Sequence, residues 1–352
     1  MRWSFPIGRL FGSELRVHAT FLILLAYIGG SAYSYGGIDA ALVNVSYVLA
    51  LFACVIAHEY GHALTARRFG IPTPDITLLP IGGVARLLRI PEKPGQEVLV
   101  ALAGPAVNVV IFLVLWLTAG LSFEAAPLTG GMTFADLPRE IATLNLILAA
   151  FNMIPAFPMD GGRVLRAVLA MITDRVKATR IAAGVGQVLA VGFGIYGFYI
   201  GSFIYPLIAV FIFMAARAEA RDVRLRAMAK TETAGKVMKT GFKALGTSLT
   251  LEQARAAFER ERVAEFPVVD GASRRIVGLL ARKQLDDQFS TLGADAFVPR
   301  AMATNVPVVR EDTPLAHVLR LLNSAPAVAV TDMSGEVAGY ISHQTVLDRL
   351  GR

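Results

Sequence analysis

His58-Glu59-Tyr60-Gly61-His62 sits inside a largely apolar stretch, residues 43–67, and the rest of the chain is organised around it. Residues four apart share a helix face, so His58 and His62 can reach one ion together. At 3.6 residues per turn, Glu59 is rotated about 100° from His58, beside the imidazoles, where a carboxylate suits a base acting on metal-bound water. Zinc is the usual occupant of such a pair. With only 5 His in 352 residues, chance places this spacing in roughly one such chain in a few hundred. Two imidazoles and a carboxylate on a lipid-facing helix are costly unless something compensates them. Cys54, one turn before His58, is expected to be a small apolar packing residue and not a ligand.

The composition is 55% hydrophobic and 17% charged, far from an ordinary soluble balance, which predicts a membrane protein with a soluble part. A single Cys excludes an intramolecular disulfide. The formal charge of +7 comes from Lys and Arg clustered beside apolar segments, as positive-inside anchoring places them, so no nucleic-acid partner is expected. No cleaved signal peptide is expected at the start of the chain.

Arg2, Arg9 and Arg16 precede a first apolar run at residues 19–35, which places the N-terminus in the cytosol. The second run, 43–66, carries the histidines and ends in Arg67 and Arg68. At 1.5 Å per residue, His62 lies about 8 Å and His58 about 14 Å inside that boundary. Residues 69–89, rich in Gly, Pro and β-branched types with Gly82 and Gly83 in the middle, predict short strands and turns lying against the site. A third span at 97–121 contains Gly104, Pro105 and Asn108, and Glu97 is expected simply to open that helix. The loop at 122–138 carries Glu124 and Asp136 but no Lys or Arg, as an external loop should.

A fourth span, about 140–157, ends at prolines 155 and 158, and Gly161 and Gly162 are expected to let the backbone turn sharply. Asp160 thereby reaches the depth of the two histidines. A two-His site that keeps a position open for water needs a third protein ligand, and Asp160 is the best-placed carboxylate. Apolar runs at 181–200 and 203–216 predict a fifth and a sixth span, so roughly six spans place both termini in the cytosol. The basic residues of 217–230 form a linker helix whose expected contact is anionic membrane lipid.

From residue 231 the composition is that of a soluble domain, and it repeats with a period of about sixty. Val237-Met238 recurs as Ala301-Met302, Pro267-Val268-Val269-Asp270 as Ala329-Val330-Thr331-Asp332, and Gly278 as Gly339. Thr250 and Gln253 predict a capping box for a helix running to about Arg262; Thr313 with Pro314 predicts an N-cap and N1. Two strands are expected after each helix. The expected fold is therefore an α-helical polytopic membrane protein with a C-terminal cytosolic α/β pair. Its domains are 1–216, a linker at 217–230, and repeats at 231–290 and 291–352.

Together these residues resemble the site-2 protease family of intramembrane zinc metalloproteases, in the subgroup with a C-terminal pair of CBS domains. The family pattern of His-Glu-x-x-His, Gly-Pro-x-x-Asn and Asn-x-x-Pro-x-x-x-x-Asp-Gly is matched at 58–62, 104–108 and 152–161. The resemblance implies one zinc held by His58, His62 and Asp160, Glu59 as catalytic acid/base, and Asn108 and Asn152 as polar groups near the substrate. It implies that a hairpin around Gly82 and Gly83 receives the substrate by strand addition. It also implies a membrane-spanning substrate in a prokaryotic plasma membrane, such as an anti-sigma factor or a precursor transcription factor. The paired CBS domains imply a homodimer. In that family a Thr or Ser followed three residues later by Asp holds adenine nucleotide, but the positions here are Ala281 with Gln284 and Ser342 with Thr345. Adenine nucleotide is therefore expected to bind weakly or not at all. A transporter or channel gated by CBS domains, with His58, Glu59 and His62 as an ion path, is the competing class; it leaves Asp160 and the Asn152 motif without a shared role.

Overall fold

The computed structural model describes residues 3–80, 82–86, 88, 91, 93–119, 132–273 and 275–351, so the acidic loop residue Glu124 lies outside the described residues. Its longest element is helix α1, Ala19–Arg68, broken where Gly36 and Gly37 leave helical geometry. Gly37 has φ +66, a left-handed conformation that glycine adopts without a Cβ penalty. The two halves fold back antiparallel: the Phe21 and Phe52 rings meet edge to face at 4.5 Å, and Gly29 lies opposite Val45. The first two apolar runs are thus two arms of one hairpin.

Strands β1 (Ser4–Leu10) and β2 (Ser13–His18), which the sequence reading did not anticipate, precede α1. They join β3 (Asp75–Leu79) and β4 (Gly82–Ala85) in a sheet of order β1-β2-β3-β4. The β2–β3 pairing is parallel and the other two antiparallel, which leaves β4 as an edge strand. The Tyr60 hydroxyl donates to the Leu10 carbonyl at 3.1 Å and Arg67 to the Phe11 carbonyl at 2.6 Å, fastening the sheet to the second arm of α1.

Helices α2 (Pro94–Ala119), α3 (Leu137–Asn152), α4 (Asp160–Leu169), α5 (Arg175–Tyr199) and α6 (Ile204–Thr231) follow. Among the described residues, α1, α2 and α5 are long and apolar enough to cross a membrane. The chain does not turn at Gly161 and Gly162, as expected, but one step earlier, and both glycines lie inside α4. Their role is close approach. A Cβ on Gly161 would lie 2.3 Å from the Ile154 carbonyl oxygen, one on Gly162 2.5 Å from Phe157 N, and one on Gly186 of α5 2.3 Å from the Phe157 carbonyl oxygen. The segment between α3 and α4 is thereby pressed against both α4 and α5.

Glu97 does more than open α2. It is 3% exposed, and its two oxygens accept from Arg166 Nε at 2.7 Å and from Arg175 Nη2 at 2.8 Å. Arg166, 1% exposed, also donates to Glu219 at 2.6 Å and lies over the Phe157 ring. One buried guanidinium thus links α2, α4 and α6. Positive-inside anchoring accounts for Lys and Arg beside apolar segments by charge alone, and burial is invisible in a charge count.

The chain divides into two compact units, Met1–Ala220 and Arg221–Arg352. In the second, β5 (Leu245–Gly246), β6 (Glu265–Val269) and β7 (Ile276–Ala281) form one three-stranded sheet. Strands β8 (Val308–Arg310), β9 (Ala327–Thr331) and β10 (Val337–Ser342) form the other, with the same mixed pairing. The Thr250–Gln253 capping box is present, and its helix α7 (Leu251–Glu261) ends on Arg262 in left-handed geometry. Thr313 is no N-cap: its hydroxyl accepts from Arg310 N, and Pro314 holds the cap position of the helix Leu315–Leu322. Packing also crosses the repeat boundary. Met238 sits against Gly339 and Met302 against Gly278, so the segment leading each repeat is exchanged onto the other. Gly278 and Gly339 are glycines because a Cβ would meet those sulfurs at 2.4 and 2.9 Å.

Replacing Arg166 by Met should strip Glu97 of its principal partner and destabilise the first unit by about 3–5 kcal/mol. Thermal unfolding in detergent micelles checks this, with Glu97→Gln added to Arg166→Met expected to recover much of the loss.

Candidate metal centre

The second arm of α1 brings His58 and His62 onto the face that crosses α2. The crossing is close because Gly61 and Gly104 face it: a Cβ on Gly61 would lie 2.6 Å from the Ala103 carbonyl oxygen. A Cβ on Gly104 would lie 2.2 Å from His62 Nε2 and 2.7 Å from His58 Nε2. Gly104 is therefore the floor on which both imidazoles rest.

Each imidazole is oriented from behind by α2. His62 Nδ1 lies 2.7 Å from the Val100 carbonyl oxygen, which can only accept, so Nδ1 carries the proton and Nε2 presents a lone pair. His58 Nδ1 donates to Asn108 Oδ1. Asn108 Nδ2 in turn donates to Asn145 Oδ1 at 2.7 Å, and Asn145 Nδ2 to the Ile141 carbonyl at 2.8 Å and to Cys54 Sγ at 3.2 Å. This direction of donation leaves His58 Nε2 also unprotonated. Asp160, in the first turn of α4, places Oδ2 at 3.1 Å from both Nε2 atoms, which are 3.0 Å apart.

Three potential donor atoms for a metal converge on one point, an arrangement that a bound cation stabilises. Two imidazole nitrogens and one carboxylate, with one side open, are the donor set of a catalytic zinc site. His58, His62 and Asp160, all buried, form a group that can hold a metal ion, the one such group among the described residues.

Glu59 Oε2 accepts from Ala85 N of β4 at 3.2 Å. The donors open into a cavity of about 370 Å³ lined by Glu59, Gly82, Gly83, Asn152, Arg163 and apolar side chains including Phe151. Of the residues singled out in the sequence, His58, Glu59, His62, Asp160, Asn152, Gly82 and Gly83 line one space. Asn108 does not: it is fully buried behind His58, whose Nδ1 it accepts from. Cys54 packs against Asn145, outside the donor group. The sequence reading missed Asn145, although an amide inside an apolar span was the same signal that drew attention to Asn108. In the second unit the Ser342 hydroxyl, expected to be the remaining nucleotide contact, is buried and donates to the Glu265 carboxylate, and it caps Thr345 N at 3.1 Å. Burial holds the Glu265 carboxyl above its ordinary range.

A membrane-type helical unit that holds two histidines and an aspartate at one point, with a glutamate beside them, defines a zinc metallopeptidase. The family model for Peptidase family M50 matches residues 46–137 and 132–193, and that for the CBS domain matches 234–289 and 297–352. A zinc metalloprotease of Methanocaldococcus jannaschii is 30% identical over 99% of this chain and 96% of its own length. Stage IV sporulation protein FB of Bacillus subtilis is 26% identical over 46% of this chain and 53% of its own. The solved site-2 protease from Methanocaldococcus jannaschii is similar at 34% identity, covering 62% of this chain and 95% of that one, with a TM-score of 0.47. The chain belongs to peptidase family M50, the site-2 proteases, and is a zinc metalloendopeptidase that carries a CBS domain pair.

Gly104→Ala should abolish metal binding while leaving helix α2 intact, because the added methyl occupies the space of the His62 ring edge. Zinc per chain, measured by elemental analysis of the purified variant beside wild type, is expected to fall from one to near zero.

Proposed function

We propose that this chain cleaves a membrane-spanning regulatory protein within or near the bilayer, with His58, His62 and Asp160 holding the zinc and Glu59 acting as acid/base. The observation that carries this reading is that the donor group, Glu59 and the edge strand β4 share one cavity among apolar helices. Zinc held by these residues would supply Lewis-acid polarisation of a carbonyl and a lowered pKa for water at the site. Glu59 takes the proton of the attacking water and later delivers it to the amine nitrogen as the C–N bond breaks. Strand β4 bears only small side chains at Gly82, Gly83 and Ala85, so an unwound substrate segment can lie along it as an added strand. Asn152 lines the same cavity and is available to a substrate backbone.

About six spans are formed by the two arms of α1 with α2, α3, α5 and α6, in a prokaryotic plasma membrane with both termini cytosolic. The membrane protease domain is residues 1–216 and the basic linker 217–230 contacts anionic lipid. The CBS repeats, 231–290 and 291–352, modulate cleavage through homodimerisation or by docking the cytosolic part of an anti-sigma factor or precursor transcription factor. With Ser342 committed to Glu265, adenine nucleotide remains a doubtful ligand.

Glu59→Gln should keep one zinc per chain and lower cleavage of a single-span substrate in liposomes by about 10²–10⁴-fold; a variant that cleaves at the wild-type rate would sink the mechanism. Orientation is checked by cysteines placed at Gly95 and Ser202 on a Cys54→Ala background. An impermeant thiol reagent added to intact cells should label position 202 and spare position 95, and the reverse pattern would invert the topology.

A further inference from the structure

Arg163 is the charged side chain at the cavity whose chemistry the protease reading leaves unused. It lies on α4 three residues beyond Asp160, on the same helix face, so the helix that delivers the third donor also delivers a guanidinium. Its Nη1 is 3.7 Å from Asp160 Oδ1, an ion-pair distance too long for a hydrogen bond; Oδ2 faces the imidazoles. Among the described residues the guanidinium meets no hydrogen-bond acceptor, and it is the only Lys or Arg lining the cavity. Its side chain is 39% exposed.

The contrast with Arg166, three residues further on, is informative. Arg166 is buried and paired with both Glu97 and Glu219, as a structural arginine should be. Arg163 carries the same five donors into a cavity and spends none of them. A guanidinium kept in that state is poised for an acceptor that arrives from outside the chain, and its position beside Asp160 restricts that acceptor to an oxygen adjacent to the metal donors.

We propose that Arg163 donates to the carbonyl oxygen of the scissile peptide and stabilises the charge that develops there. This inference rests on the protease reading above. In the step concerned, the water oxygen bonds to the carbonyl carbon, its proton passes to the Glu59 carboxylate, and the carbonyl π pair moves onto the oxygen. Negative charge is thereby transferred from Glu59 to the substrate oxygen. When the adduct collapses, that pair re-forms the C=O bond, the C–N bond breaks, and the proton held by Glu59 goes to the departing nitrogen. A fixed cation aimed at the oxygen gains strength as the charge appears and costs no reorganisation at that moment.

The test uses the full chain in liposomes with a single-span substrate, comparing wild type, Arg163→Met and Arg163→Gln. The expected result is one zinc per chain in all three, kcat lowered by about 10²–10³-fold in Arg163→Met with KM within twofold, and a smaller loss in Arg163→Gln, which retains donors without charge. A phosphinic peptide, whose tetrahedral anionic group resembles the adduct, supplies a readout independent of turnover. Its affinity for the zinc-loaded chain should fall in step with kcat/KM, while affinity for the matching uncleaved peptide stays level. Should Arg163→Met fail to fold, the same comparison is made with Arg163→Gln alone. Unchanged kcat and phosphinic-peptide affinity, a loss confined to KM and to substrates bearing an acidic side chain, or loss of zinc in both variants each overturns the inference. A wild-type chain that cleaves nothing sinks the protease reading and this inference together. A wild type that cleaves while Arg163→Met cleaves equally well sinks this inference alone.

Discussion

The crossing of α1 over α2 at Gly61 and Gly104 is the constraint on which the rest of the first unit depends. Two helices approach closely only where side chains are absent, and here the absence makes room for a pair of imidazoles between the helices. Once they are there, α2 supplies their rear partners, a main-chain carbonyl for His62 and an amide for His58. The tautomers follow, both lone pairs turn inward, and a third acceptor from α4 completes a set that can hold a cation. The metal group is thus a property of helix packing as much as of ligand identity.

Bringing Asp160 to that point demands a second kind of close packing. The chain leaves α3 at Asn152 and re-enters a helix at Asp160, and the segment between is held against α4 and α5 by Gly161, Gly162 and Gly186. The buried Arg166 then locks α4 to α2 and α6 through carboxylates on each. An ion pair of this kind contributes less to net stability than its distances suggest, because desolvation offsets much of the attraction. Its consequence is directional: a misplaced α4 would leave a charge buried and unpaired, so the register that places Asp160 is strongly preferred.

The second unit solves a different problem with similar means. Two short three-stranded sheets cannot each enclose a core, and exchanging the leading segments, with Met238 over Gly339 and Met302 over Gly278, makes each repeat complete only in the presence of the other. The Ser342 hydroxyl that repeat matching singled out is spent inside this arrangement, on Glu265 and on a helix start.

Much of the candidate site was legible in the chain because it is local. The spacing of His58, Glu59 and His62 is set by helical periodicity, the apolar runs by the cost of exposing backbone in lipid, and the tandem repeat by self-similarity. The strands at 75–85 announced themselves by composition. What periodicity cannot carry is distance between segments. The β1–β2 hairpin was hidden because β1, exposed along nearly its whole length, shows little of the alternation that marks a strand. Asn108 stood out as polar, but whether it faced substrate or ligand depended on a helix fifty residues away. Glu97 looked like a helix start until folding buried it against Arg166. The sequence by itself determined which residues can bind a metal and that a tandem repeat follows the apolar part of the chain. Only the tertiary structure decided which glycines make room, which amides orient the imidazoles and which arginine is left with its donors open, because each of these depends on non-local approach.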